Sequence, residues 1–524
     1  MDLTRRTFVE VAGAATILGA LGMGHVASAT PASGAGDSSP ADREPVPVEQ
    51  ATIEEVRAIL GAEDSETILI DARPQEIYAG WALEGAPHGG HLRGAKLFSA
   101  RWLDCEYAEE APRRAYLDRS MEGQGIAAGT KAIVYDYTGA QAEIVAQYLA
   151  AQGVDARYAT VAELIDEGGD LESFEHHDRL VPVELVKSVS DVKAGKASEL
   201  TPEAQAVFGD VDNIALFDVG WGNVRTSTYL SSGHVPGAVH INTDSYERPR
   251  VYVPEKRPEY AQEWRLIPVE ELRDTVCVEY GITKDTVIIL TSGYSTPPAR
   301  LGFMLRSLGV RVYVMVGALV VWRYNGYELD TDPSTIVVPT AAESFGSDDV
   351  PAPDEILWMD DIKAILDGTM PGQVIDNRSK GEWDGTDTGY SYHDIAGRIE
   401  GSIWVPQEDP AEGGFFQNPD CTPRTPEEYA WHIESYGADP TQVMAFFCGD
   451  SWGAARNAYW CQSVDMMAAM QWGNGWMPWS NEGNWFIDHT GARVRYERYR
   501  DTVIDEDGND VADGVNLKGD EPVA

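Results

Sequence analysis

An α/β fold with parallel sheets covered on both faces is what this 524-residue chain predicts. Two observations carry the prediction. First, short apolar strands alternate with helical stretches, the pattern of βα units whose buried strands pair in parallel. Second, one pattern recurs three times in order: an apolar strand ending in Asp, a Gly-x-x-x-Gly turn, then an apolar run that breaks into a loop and a helix. A repeat at this scale means consecutive copies of one structural unit. Ligands in such sheets lie beyond the strand C-termini, so the three post-strand loops are the candidate sites.

Taken from the N-terminus, Thr4-Arg5-Arg6-Thr7-Phe8-Val9 precedes a Gly/Ala-rich apolar stretch, and Ala27-Ser28-Ala29 supplies small residues suited to cleavage. Residues 1–29 therefore read as a twin-arginine export signal. The expected location is outside the cytoplasmic membrane, periplasmic or cell-surface/secreted. Residues 30–48 are rich in Pro, Ala, Gly, Ser and Asp and read as a linker. No later run is long and apolar enough to span a bilayer, so no membrane insertion is expected after signal cleavage.

The first repeat opens with Ile68-Leu69-Ile70-Asp71-Ala72-Arg73, turns at Gly90-His91-Leu92-Arg93-Gly94-Ala95 and continues into Lys131-Ala132-Ile133-Val134-Tyr135-Asp136. The second has Ala215-Leu216-Phe217-Asp218-Val219, Gly233-His234-Val235-Pro236-Gly237-Ala238 and Thr286-Val287-Ile288-Ile289-Leu290-Thr291. The third has Val374-Ile375-Asp376-Asn377-Arg378, Gly397-Arg398-Ile399-Glu400-Gly401-Ser402 and Gln442-Val443-Met444-Ala445-Phe446-Phe447-Cys448.

The Asp-x-Arg strand end, the Gly-His-x-x-Gly-Ala turn and the cysteine-bearing loop resemble the rhodanese (sulfurtransferase) family. The aromatic segment Gly475-Trp476-Met477-Pro478-Trp479 and its degenerate copy at residues 317–322 agree with that resemblance. It implies three tandem rhodanese-like domains at 49–175, 180–335 and 350–490, each a parallel five-stranded sheet with helices on both faces. An acidic tail is expected at 495–524.

Of the three loops, the third alone offers a nucleophile. Cys448 ends an apolar run and is followed by Gly449-Asp450-Ser451-Trp452-Gly453 and a helical stretch from Ala454. Loop amides and a helix N-terminus converging on sulfur make an anion cradle, which predicts a depressed thiol pKa, less so beside Asp450. The first loop has Asp136 or Tyr137 at this place, and the second Thr291 or Ser292. None of these carries a persulfide, so the first two units read as non-catalytic.

The resemblance implies two-step sulfur transfer through a Cys448 persulfide, with Gly449, Asp450, Ser451, Trp452, Gly453 and Arg456 as substrate-binding residues. The partners would be a small-molecule or protein-bound sulfane-sulfur donor and a thiol or cyanide acceptor; no metal and no cofactor is called for. Relatives carry a basic residue where this chain has Gly453, and Asp450 adds a negative charge, which predicts poor use of thiosulfate. Arg456 is read either as a cation leaning towards the site or as a solvated helix residue. Arg378 reads as a structural partner of Asp376. His91 and His234 read as structural parts of the turn, and Trp472, Trp476, Trp479 and Trp485 as packing.

Composition narrows the alternatives. The net charge of −45 argues against nucleic acid and anionic membrane as partners. The five cysteines include no CxxC, so neither a disulfide framework nor a zinc site is indicated. A phosphatase of the Cys-x5-Arg type would need arginine where Ala454 stands. The remaining alternative is a non-catalytic sulfur-binding or scaffold protein.

Overall fold

The computed structural model describes residues 46–62, 65–83, 85–105, 110–248, 264–390, 393–409, 413–497 and 502–511. The twin-arginine segment, most of the linker and residues 512–524 lie outside the described residues.

Three parallel sheets follow one another along the chain. The first runs in the order Lys96–Leu97, Thr67–Asp71, Lys131–Asp136, Asp155–Thr160, and a parallel bridge from Gln50 to Tyr158 stands at the fifth position. The second has five strands, Leu180–Val181, Arg311–Met315, Val287–Thr291, Ile214–Gly220 and Val239–Asn242. The third repeats that order with Ile356–Leu357, Ala469–Trp472, Met444–Phe447, Gln373–Asp376 and Ile403–Trp404. The central strands Val287–Thr291 and Met444–Phe447 are buried at every residue, as expected for strands covered on both faces. Side chains alternate between the faces: Met444 and Phe446 enter one apolar core, while Ala445 and Phe447 enter another with Trp472 and Trp476. The first of these cores also takes in Ile288 and Leu290, so the second and third units share one apolar interior.

The repeated motifs have repeated physical roles. Arg73 donates twice to Asp71 and once to the Gly90 carbonyl, at 2.6 Å from Nη2 to each. Arg378 does the same with Asp376 and the Gly397 carbonyl, at 2.6 and 2.8 Å from Nη2. The pair ties the strand end to the turn motif, the structural role read for Arg378. His91 stacks on Tyr78 at 3.7 Å and His234 on Tyr229 at 3.4 Å, each with Nδ1 bonded to that tyrosine's carbonyl. Burial holds both imidazoles below the usual histidine range.

The acidic tail begins later than the sequence suggested. Phe486–Ile487, Arg493–Glu497 and Thr502–Asp505 form an antiparallel sheet. Val494 and Val503 are buried beside Trp476 and Phe486, so the apolar side of this hairpin outweighs its acidic composition.

The units are packed on one another. Helix Thr296–Ser307 of the second crosses helix Trp452–Ser463 of the third, with Phe303 edge-on to Tyr459 at 5.2 Å. The first unit meets the third where Arg101, 5% exposed, bridges Glu76 and Asp420 at 2.7 Å. No helix of the described residues is long and apolar enough to cross a membrane.

Candidate active site

Strand register identifies the equivalent position in each unit. Asp71 pairs with Tyr135, Asp218 with Thr291 and Asp376 with Phe447. The residues that follow, Asp136, Ser292 and Cys448, therefore stand at the same point of the three sheets.

What surrounds each differs. The Asp136 carboxylate fills its own cradle: Oδ1 accepts from the amides of Thr138 and Gly139, and Oδ2 from Gln141 and Ala142 at 2.5 and 2.9 Å. The first unit thus carries a built-in anion where a substrate anion would sit. In the second unit the two donors equivalent to Gln141 and Ala142 are Pro297 and Pro298, which have no N–H. Ser292 retains the Tyr294 amide at 3.2 Å, but the cradle has lost its two helix-terminal donors. The third unit keeps both donors, and the amides of Gly453 and Ala454 favour the Cys448 thiolate. These amides belong to the first turn of a 12-residue helix, where N–H groups lack intrahelical partners.

The expected depression of the thiol pKa is not what the structure gives. Cys448 is 5% exposed, and its thiol donates to Asp450 Oδ1 at 3.9 Å. Burial, then Asp450, then Glu382 push the thiol up to about 12 against the two amides. The cradle is present; its effect is outweighed by desolvation and by two carboxyl groups. Asp450 is itself buried, its carboxyl raised by desolvation, while Oδ1 accepts the Trp452 amide at 3.2 Å. Glu382 is pushed up to about 7 by burial, and its Oε2 caps the helix Lys380–Asp384 through Ser379.

The other sequence-predicted residues fall into place around the loop. Ser451 takes the left-handed conformation, φ +68°, that turns the chain from loop into helix. Gly449 lies under the Tyr390 ring: a Cβ there would come within 2.3 Å of Cε2, Cζ and Oη. A Cβ on Gly453 would stand 2.1 Å from Gln407 Oε1, so an arginine here cannot simply restore the family's cation; Gln407 must first be displaced. Arg456 does not join the group at sulfur. Its Nε and Nη2 donate to Asn457 Oδ1, Nη1 donates to Gln417 Oε1 at 3.2 Å, and the guanidinium lies 5.0 Å from the Trp460 ring. The carbonyls of Cys448 and Gly449 accept the Trp476 and Met477 amides, both at 3.0 Å, so the aromatic segment closes over the loop.

Sequence reasoning missed the second unit's contribution. Trp452 Nε1 donates to Glu247 Oε1 at 2.6 Å, and Arg300 Nε donates to the same oxygen at 2.6 Å. Tyr390 and Gln407 were missed too. The signal available for Arg300 was a lone arginine amid the apolar run Ala299-Arg300-Leu301-Gly302-Phe303; Glu247 sits in a two-residue strand, and Tyr390 and Gln407 lie outside helices and strands, where no periodicity marks them.

No protein-family model matches the chain. Thiosulfate sulfurtransferase YnjE of Escherichia coli is 25% identical over 415 residues, spanning 79% of this chain and 87% of the relative. Among solved structures, wild-type EanB superposes with a TM-score of 0.68 at 25% identity, covering 84% of this chain and 97% of the other. The anaerobic ergothioneine biosynthesis enzyme of Chlorobium limicola, bound to trimethyl histidine, gives 0.67 at 25% identity over 83% and 97%. An EanB form carrying a cysteine persulfide in a tetrahedral intermediate state with ergothioneine gives the same values. Sulfur transfer is the chemistry these similarities support. They also support a rhodanese-like kinship for the chain, in keeping with its parallel sheets flanked by helices.

Proposed function

We propose that the protein is an exported sulfurtransferase that moves sulfane sulfur from thiosulfate or a persulfide to a thiophilic acceptor through a Cys448 persulfide. One observation carries the reading: of three register-equivalent positions, Cys448 alone combines a nucleophile with the two helix-terminal amides. Export rests on the twin-arginine segment and on the small residues that follow it.

In the first step the Cys448 thiol loses its proton, and the thiolate attacks the outer sulfur of the donor. The S–S bond to the donor breaks, and the leaving group (sulfite, when the donor is thiosulfate) departs with the electron pair. In the second step the acceptor attacks the outer sulfur of the persulfide, and the Cys448 thiolate is returned. The Gly453 and Ala454 amides stabilise the anion on sulfur in both steps. Asp450 beside the sulfur favours a neutral or cationic acceptor over an anionic one. Hercynine, the trimethylated histidine held by EanB, is for that reason an acceptor to try beside thiols and cyanide.

Incubation with thiosulfate or a low-molecular-weight persulfide should add the mass of one sulfur atom to the intact protein. Cys448→Ser should abolish both the adduct and turnover while circular dichroism stays unchanged. A folded wild type that never gains sulfur, or a Cys448→Ser variant that still turns over, would reject the enzyme in favour of a scaffold.

A further inference from the structure

The loop that holds Cys448 contains no cation, and Arg456 is engaged elsewhere by Gln417, Asn457 and Trp460. A cation nevertheless lies beside the loop, and it comes from a different unit. Arg300 projects from the second unit's helix Thr296–Ser307 and is completely buried. Its Nε donates to Glu247 Oε1 at 2.6 Å, and Nη2 donates to the carbonyls of Trp264 at 2.8 Å and Gly473 at 3.2 Å. Glu247 Oε1 also receives Trp452 Nε1 at 2.6 Å. Both walls of the Cys448 loop are thereby gripped by one guanidinium. Trp452 is held through Glu247, and Gly473 precedes the segment whose amides bond the Cys448 and Gly449 carbonyls.

Two further features set this pair apart from an ordinary buried ion pair. Arg300 Nη1 and Glu247 Oε2 are both buried without a hydrogen-bond partner among the described residues. Such groups are costly to leave unmet. The guanidinium is also the foremost influence holding the Asp450 carboxyl down against desolvation, whereas burial pushes Glu247 up to about 8. The Arg300 charge thus acts on two carboxyl groups, Glu247 by direct contact and Asp450 beside the sulfur.

We infer that Arg300, lent by the second unit, is the cation of the Cys448 site: it positions the loop through Glu247–Trp452 and Gly473, and it offsets Asp450 so that anionic sulfur donors are admitted. The second unit, which lacks a nucleophile, is then a working half of the site. The inference deepens the sulfurtransferase reading and rests on it for the donor class, but its test does not need sulfur transfer to occur.

The test alkylates Cys448 in the full chain with two reagents, neutral iodoacetamide and anionic iodoacetate, with Cys448→Ser subtracted as the blank for other thiols. The ratio of the two rates cancels the thiolate fraction and reports the local charge felt by an anion. Arg300→Met, checked for folding by circular dichroism, is expected to lower the iodoacetate-to-iodoacetamide ratio about tenfold through loss of one nearby charge. Arg300→Lys keeps the charge but cannot span three acceptors with a fork. It is expected to preserve the ratio while slowing both reagents. A folded Arg300→Met with an unchanged ratio would overturn the charge role, as would Arg300→Lys behaving like Met in the ratio. Wild-type rates for both reagents in Arg300→Lys would overturn the positioning role, and this arm stands even where Arg300→Met does not fold. Absence of sulfur loading in the wild type would instead count against the sulfurtransferase reading and leave the alkylation result intact.

Discussion

Replacing Asp450 by Asn tests the electrostatics of the site most directly. The variant keeps an oxygen in place for the Trp452 amide, which Asp450 Oδ1 accepts at 3.2 Å, so the loop turn should survive. What it removes is a negative charge 3.9 Å from the Cys448 sulfur. Two unit charges at that separation interact by about 4 kcal/mol at an effective dielectric constant of about 20. The thiol is pushed up to about 12, and Asp450 ranks behind burial among the causes. At about 1.4 kcal/mol per pKa unit that interaction caps the effect of Asp450 at about three units, and since burial ranks ahead of it the downward shift on removing the charge should be smaller than this cap, about tenfold or more in thiolate at neutral pH. The assay is the rate of Cys448 alkylation by iodoacetamide across pH, with Cys448→Ser as the blank and the melting temperature as the control for folding. The Asp450→Asn profile should shift to lower pH accordingly. A folded variant whose profile stays put, or moves up, would show that Asp450 does not govern the thiol and that burial alone sets its acidity.

Two further outcomes follow from the same geometry. Glu382 is held neutral by burial up to about pH 7, while the unfolded chain releases this proton near pH 4.3. Because the folded value is the higher one, its stabilising share is complete below about pH 4.3 and is lost as pH rises towards about 7. Glu382→Gln should therefore gain stability relative to wild type across that window, by up to about 1.4 kcal/mol per pH unit, read from denaturant midpoints at a series of pH values. Asp136→Ser should leave the four amides of the first cradle without their carboxylate and cost about 2–4 kcal/mol, measured by the same denaturation; an unchanged midpoint would mean that water replaces the carboxylate at no loss.

The sequence by itself determined the periodic and local features. The three βα repeats were legible because buried parallel strands are short, apolar and punctuated, and because each ends in the same Asp. The role of Arg378 was legible because its partner Asp376 is two residues away. The Gly-His turn was legible because His91 and His234 each bond a nearby tyrosine carbonyl. Cys448 stood out because an apolar run breaks there into a glycine-bearing loop. Tertiary structure decided everything that depends on groups distant in sequence. The pKa of Cys448 was read from its own loop amides, yet it is set by burial beneath neighbouring elements and by carboxyl groups from two segments. The fate of the hairpin around Val494 and Val503 was decided by an apolar face that only the packed third unit offers. Arg300 lies 148 residues before Cys448, on a helix whose pattern speaks only of packing, and nothing short of the crossing of Thr296–Ser307 over Trp452–Ser463 brings its charge to the loop. Local chemistry is written in spacing along the chain; desolvation and long-range charge are properties of the assembled interior, where screening by water is lost.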